Sequence, residues 1–219
     1  METEKIEVKQ AIYDQNDRIA AELNETLSGK GIFMINVMGA PGAGKTSVIR
    51  RVIERTPEKS YVIEGDIESD IDTAALKALG IDTVQINTHG ACHLDAPVIN
   101  ATVSNMDALG KGIVYIENIG NLVCPAEFNI GEHIKMLVVT VTDGSDKPYK
   151  YPLAFEKADI IVLNKADLLP YVDFNEDFFM KGVRALNPNV PVCKVSARNG
   201  DGFEKVVEWI TAKKKHSKA

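Results

Sequence analysis

The segment Gly39-Ala40-Pro41-Gly42-Ala43-Gly44-Lys45-Thr46 reads G-x-x-x-x-G-K-[ST]. It follows an apolar run over residues 32–38 and leads into a helical pattern, the context that a phosphate-binding loop requires. Glycines without Cβ atoms let backbone N–H groups turn inward around a β-phosphate. The N-terminus of the next helix adds its positive dipole end. Lys45 supplies a point charge between the β- and γ-phosphates, and the Thr46 hydroxyl is the expected Mg²⁺ ligand. Nucleoside triphosphate binding and phosphoryl transfer are the chemistry these residue types suit.

A second set reads the base. Asn164-Lys165-Ala166-Asp167 follows an apolar strand pattern over residues 159–163 and has the N-K-x-D form of guanine-specific proteins. The Asp167 carboxylate can accept from both N1–H and the 2-amino group of guanine. Adenine lacks both donors and would leave a charge unpaired. Lys165 can lay its stem along the base. Ser196-Ala197-Arg198 resembles the S-A-K element whose backbone N–H meets guanine O6, with Arg in place of Lys. Between the two sets stand the expected nucleotide-sensing elements. Asp66 ends a strand pattern in Glu64-Gly65-Asp66 and faces Mg²⁺ directly or one step removed. Glu68, Asp70 and Asp72 follow on the same acidic loop. Glu117 takes the place of the usual Asp ahead of Gly120; its longer carboxylate can still orient a Mg²⁺-bound water. The Gly120 N–H is offered to the γ-phosphate, so its loop can sense GTP loss.

The third set is Cys92-His93 together with Cys124, which lies seven residues after Glu117. Two thiols and an imidazole suit Ni²⁺ or Zn²⁺. The three could equally be unrelated, since an isolated cysteine is often a small buried hydrophobe. Cys193 sits inside a strand pattern and reads as core, while His89 is a candidate extra ligand.

Short apolar runs alternating with helical stretches must position these residues. Strands are expected over residues 32–38, 61–64, 83–87, 112–116, 136–142, 159–163 and 190–195. Helices are expected over 6–27, 45–54, 73–79, 97–109, 175–186 and 203–213. The runs are apolar on both faces, as buried parallel strands are. The fold class is therefore α/β: a P-loop NTPase with a mostly parallel sheet flanked by helices on both faces. The expected organisation is an N-terminal helix over 1–30 packing on or leading into the G domain, a GTPase domain over 31–212, and a basic, solvated tail over 213–219. With 219 residues, one domain is the default. The net charge of −6, from 25 Lys+Arg and 31 Asp+Glu, argues against nucleic-acid binding. No apolar run approaches the roughly 20 residues of a membrane helix. Residues 1–9 are charged and carry no secretory core. Three cysteines make no disulfide framework, so a reduced, cytoplasmic setting is expected.

Taken together, Gly39 to Ser47, Glu64-Gly65-Asp66, Cys92-His93-Leu94-Asp95, Glu117-Asn118-Ile119-Gly120-Asn121-Leu122-Val123-Cys124-Pro125 and Asn164-Lys165-Ala166-Asp167 resemble the HypB family of hydrogenase nickel-incorporation GTPases. The resemblance covers roughly residues 31–211. It implies a metallochaperone of [NiFe]-hydrogenase maturation that hydrolyses GTP slowly and forms a homodimer with GTP bound. It also implies Ni²⁺ or Zn²⁺ on Cys92, His93 and Cys124 at the dimer interface. The implied partners are a HypA-type nickel protein and the hydrogenase large subunit. Two family features are missing: no cysteine precedes Cys92 and no histidine precedes His89. The C-x-x-C-G-C motif and the histidine-rich stretch of other members are thus absent, and nickel must use the G-domain site. Slow turnover is also expected because no glutamine beside Gly120 positions water and no arginine is placed as a finger. The alternative readings are a urease-type nickel GTPase, a P-loop small-molecule kinase or ATPase, and a binding switch with negligible turnover.

Overall fold

The computed structural model describes residues 2–66, 76–77, 80–88, 90–106 and 109–217, without the side chains of 2–12 and 66. Seven strands form one parallel sheet: β1 (Ile32–Gly39), β2 (Ser60–Asp66), β3 (Asp82–Asn87), β4 (Gly112–Glu117), β5 (Ile134–Thr140), β6 (Ile160–Asn164) and β7 (Val192–Lys194). Their order is β3-β2-β4-β1-β5-β6-β7, with every pairing parallel. Every residue of β1, β4, β5 and β6 is buried, as a sheet covered on both sides requires. The helices are α1 (Glu2–Gly29), α2 (Lys45–Ile53), α3 (Ala96–Ser104), α4 (Cys124–Glu127), α5 (Lys147–Lys150), α6 (Pro152–Lys157), α7 (Glu176–Leu186) and α8 (Phe203–His216). Short 3₁₀ turns cover Val141–Asp143 and Ala166–Tyr171.

Alternation along the strands divides the core between the two faces. Ile35, Val37, Tyr115, Met136 and Val162 meet Val48 and Val52 of α2 and Phe203, Val206 and Ile210 of α8. On the other face Met34, Ile63, Val114 and Ile116 meet Leu23 and Leu27 of α1 and Ile99 of α3. Farther along that face Leu137 and Ile161 meet Phe155 of α6 and Phe179 and Val183 of α7. The register aligns Glu117 with both Val37 and Glu64. Two carboxylates therefore leave the sheet together, beside the strand that feeds the phosphate loop.

Three expectations are corrected. The strand expected over 136–142 ends at Thr140, because Thr140 and Asp143 form a capping box that turns the chain into a 3₁₀ turn. Residues 213–216, expected in the solvated tail, are helical in α8. Lys214 is 2% exposed and ion-paired with Glu58. The strand expected over 190–195 is confined to Val192–Lys194, and the N-terminal helix buries Asn16, Ala20, Leu23 and Leu27. The expected helix over 73–79 falls mostly outside the described residues; Leu76 and Lys77 are helical. No described helix is long and apolar enough to cross a membrane.

Asn16 explains why a helix of low apolar content docks here. Its Nδ2 donates to Asn129 O at 2.8 Å, and its Oδ1 accepts from Ala96 N at 3.0 Å, the first residue of α3. It thus satisfies two groups that would otherwise be buried unpaired. Asn16→Ala should lower unfolding stability by about 1–3 kcal/mol. Urea denaturation checks this; an unchanged midpoint would show that α1 is held by its leucines alone.

Candidate functional site

β1 ends at Gly39, the loop crosses residues 40–44, and α2 begins at Lys45. Gly44 adopts φ 85°, a left-handed conformation that lets the chain enter α2 with its N–H groups facing the cleft. Lys45 is buried, and its Nζ donates to Gly39 O at 3.4 Å. Thr46 Oγ1 donates to Glu117 Oε1 at 2.9 Å. The expected pair of Mg²⁺ ligands from α2 and β4 thus meets across the cleft. This cleft, about 410 Å³, is lined by Pro41, Gly42, Gly44, Lys45, Thr46, Ser47, Glu64, Gly65, Glu117, Asn118, Ile119 and Gly120. Gly120 lies against the loop: a Cβ there would sit 2.8 Å from Pro41 Cγ and 3.0 Å from Pro41 N.

The base-reading segments lie at the ends of β6 and β7 and are tied to the phosphate loop. Asn164, 2% exposed, donates from Nδ2 to Ala43 O at 3.0 Å, and its Oδ1 accepts from Ala197 N at 3.1 Å. Lys165 takes φ 59° and its Nζ donates to Gly42 O at 2.9 Å, so it lies across the glycine loop. Ser196 Oγ donates to Asp167 Oδ1 at 2.7 Å, which fixes the carboxylate expected to read guanine.

Cys92, His93 and Cys124 come together in space. Their ligand atoms all lie within 4.8 Å of one another, the sole such cluster among the described residues. Cys92 Sγ lies 3.2 Å from Cys124 Sγ and 3.3 Å from His93 Nδ1. Cys124 opens α4, with Pro125 setting its first turn. Asp95 caps α3 by accepting from Val98 N at 3.0 Å, which ends the His93 loop. Phe128 stacks on the His93 ring at 4.0 Å, and Tyr13 of α1 stacks on Phe128 at 5.0 Å. Burial lowers the His93 pKa against opposing pulls from Asp95 and Glu127, favouring the neutral, ligating imidazole. The neighbouring Cys92 thiol, followed by burial, raises the Cys124 pKa. The donor set of two sulfurs and one imidazole fits a soft or borderline divalent cation.

Of the remaining expectations, Cys193 is buried in β7, and burial raises its pKa, in keeping with a core role. His89, Glu68, Asp70 and Asp72 lie outside the described residues, as does the side chain of Asp66. Two cleft-shaping residues escaped the sequence reading. Glu64 is 3% exposed and lines the cleft beside Glu117. The strand alternation in Glu64-Gly65-Asp66 carried the signal, since Glu64 pairs in register with Glu117. Arg51 of α2 donates from Nε to Ala197 O at 2.8 Å and from Nη2 to Arg198 O at 3.0 Å. Nothing in the sequence distinguished it from an ordinary surface arginine.

The family model for the CobW/HypB/UreG nucleotide-binding domain matches residues 33–194. Hydrogenase maturation factor HypB of Azotobacter vinelandii is 43% identical over 207 residues, covering 94% of this chain and 68% of that protein. Hydrogenase/urease maturation factor HypB of Helicobacter pylori is 32% identical over 216 residues, covering 97% of this chain and 89% of that protein. The crystal structure of HypB from Helicobacter pylori in complex with nickel matches with a TM-score of 0.87 and 32% identity, covering 92% of this chain and 96% of that one.

Gly44→Ala tests the cradle. An alanine Cβ would sit 2.7 Å from Asn164 Nδ2, at a φ that side chains disfavour. Holding that geometry costs about 1–3 kcal/mol. Nucleotide affinity should fall roughly tenfold or more. Titration with a fluorescent nucleotide checks it; wild-type affinity would mean that Gly44 has no part in shaping the phosphate site.

Proposed function

The chain belongs to the HypB group of the CobW/HypB/UreG family, and from that premise we propose that it is a GTP-hydrolysing metallochaperone assisting nickel insertion into [NiFe]-hydrogenase. The observation that carries this reading is the convergence of Cys92, His93 and Cys124 on the segments that flank the nucleotide cleft. Gly39, Ala40, Pro41, Gly42, Ala43, Gly44, Lys45, Thr46 and Ser47 take the phosphates. Asn164, Lys165, Asp167, Ser196, Ala197 and Arg198 take guanine. Thr46, Glu117 and Asp66 would hold Mg²⁺, with Glu64 close by; the ion neutralises charge developing on the β- and γ-phosphates. Lys45 leaves Gly39 O for the phosphate oxygens and meets the same charge from the other side. Turnover is slow because Gly120 is flanked by Ile119 and Asn121. The Asn121 amide donates to Cys92 O and accepts from Val123 N, which turns it toward the metal-ligand segment rather than toward a glutamine's water-positioning place.

Among the described residues one chain supplies three metal ligands, whereas tetrahedral Zn²⁺ and square-planar Ni²⁺ each take four. We therefore read GTP as drawing two chains into a homodimer in which the partner chain or water completes the site. Val123, 52% exposed next to Cys124, gives that contact an apolar anchor. A HypA-type nickel protein and the hydrogenase large subunit are the proposed upstream and downstream partners, in the reducing cytoplasm that free thiols require. Residues 1–30 act as a docking helix on a G domain over 31–212, with the basic end over 213–219. The name of the Helicobacter pylori relative keeps urease as a second recipient.

Asp167→Asn removes the charged acceptor for guanine. GTP affinity should fall about 10- to 100-fold, from a loss of about 1.5–3 kcal/mol. Xanthine nucleotides should bind better, since they carry a carbonyl where guanine has its amino group. Equal binding of ATP and GTP by the wild type would refute guanine specificity.

Cys92→Ala and Cys124→Ala should each lose stoichiometric Ni²⁺ while guanine nucleotide still binds. Nickel affinity in the wild type should fall as pH drops. The thiols ionise on binding and release protons, and the raised Cys124 pKa moves this loss toward higher pH. Calorimetry in two buffers of different ionisation enthalpy reads the released protons. Unchanged nickel stoichiometry in the double variant would overturn the ligand assignment. Sedimentation showing monomer with GTP analogue and nickel together would overturn the dimer.

A further inference from the structure

The two asparagines that flank Gly120 grip the metal-ligand segment at both its ends. Asn118 is 1% exposed, and its Oδ1 accepts from Leu94 N at 3.2 Å and from Ile119 N at 2.9 Å. Its Nδ2 donates to Asn36 Oδ1 at 3.1 Å, and Asn36 Nδ2 donates to Glu132 Oε1 at 3.3 Å. Glu132 pairs with Lys135, whose Nζ also donates to Phe128 O at 2.8 Å, behind the ring that stacks on His93. Asn121 donates from Nδ2 to Cys92 O at 3.2 Å and accepts at Oδ1 from Val123 N at 2.9 Å. The main-chain groups next to His93, at Cys92 and next to Cys124 are thus all held by side chains rooted on either side of Gly120. Gly120 itself packs on Pro41 of the phosphate loop. A displacement of this turn pulls on all three ligands: releasing the Asn118 amide would strand the buried Leu94 N–H, while Asn121 ties the more accessible Cys92 O and Val123 N–H to the same turn.

We propose that Asn118 and Asn121 are positioning residues that transmit the placement of the Gly120 turn to Cys92, His93 and Cys124, so that nucleotide state sets metal affinity through these two side chains. The inference rests on the reading of Gly120 as the γ-phosphate contact and of the three residues as metal ligands. Coupling of this kind is reciprocal: metal favours the GTP state by the factor that GTP favours metal. The competing route is the covalent chain from Gly120 to Cys124, which needs neither amide.

Nickel titrations by calorimetry on the full chain, loaded with GDP or with a non-hydrolysable GTP analogue, separate the two routes. The wild type should bind Ni²⁺ more tightly in the GTP state by about 5- to 150-fold. Asn121→Ala and Asn118→Ala should keep the metal stoichiometry, yet bring that ratio within about twofold of unity. The nucleotide-dependent change in the nickel–thiolate absorption band should vanish with it. Asn121→Asp, at a half-buried position, retains the acceptor for the Val123 N–H and should keep more of the ratio than Asn121→Ala, a rescue that restored packing alone would not give. A wild-type ratio persisting in the alanine variants overturns the proposal and leaves the metal site intact. A wild type whose nickel affinity is the same in both states, or which binds no nickel, overturns the underlying reading and the proposal together. Should Asn118→Ala fail to fold, the half-buried Asn121→Ala decides the matter by itself.

Discussion

A buried amide must find partners for both its oxygen and its nitrogen. This protein places that requirement at the joints between its working parts. Asn164 joins the phosphate loop to the base-reading loop, through Ala43 O and Ala197 N. Asn16 joins α1 to α3 and to the chain that follows α4. Asn118 and Asn36 join the end of β4 to the Leu94 segment and to Glu132. Apolar packing fills the space between sheet and helices, but it is non-directional and tolerates small slips. The asparagines are directional, and each fixes a loop to within a hydrogen bond's tolerance. The geometry of the nucleotide and metal sites depends on these few side chains more than on the mass of the core.

The parallel sheet supplies the second condition. Because every strand runs the same way, β1, β2, β4, β6 and β7 deliver their loops to one edge. Phosphate loop, carboxylates, the N-K-x-D segment and thiols become neighbours although they are far apart in the chain. The register then sorts them: Glu64, Glu117 and Val37 stand side by side, so both carboxylates line the cleft and Glu117 accepts from Thr46.

Much of this was legible before any coordinates. The phosphate loop, the N-K-x-D segment and the strand alternation are local patterns, dictated by steric and charge rules that act over a few residues. The order of the parallel sheet and the meeting of Cys92 with Cys124 were consistent with those patterns but needed the fold to bring them about. What escaped was long-range and polar. Asn16 and Asn36 look like ordinary asparagines, and their value lies in backbone groups contributed by distant segments. Lys214 reads as tail charge, and the nearness of Glu58, far off in the chain, helps make its burial tolerable. Glu64 is marked out only by its register partner Glu117, which a strand far along the chain contributes.

The joints share one further property: they are aimed at the main chain. Lys165 holds Gly42 O, Arg51 holds Ala197 O and Arg198 O, Asn121 holds Cys92 O, and Asn118 holds Leu94 N. A carbonyl is present whatever side chain that position bears, and an N–H wherever it is not proline. At Arg198 the clamp meets only the carbonyl, so this contact leaves the side chain there unconstrained. Cys92 and Gly42 are held by the same device yet fixed for reasons of their own, one as a candidate ligand and the other by its φ of 73°.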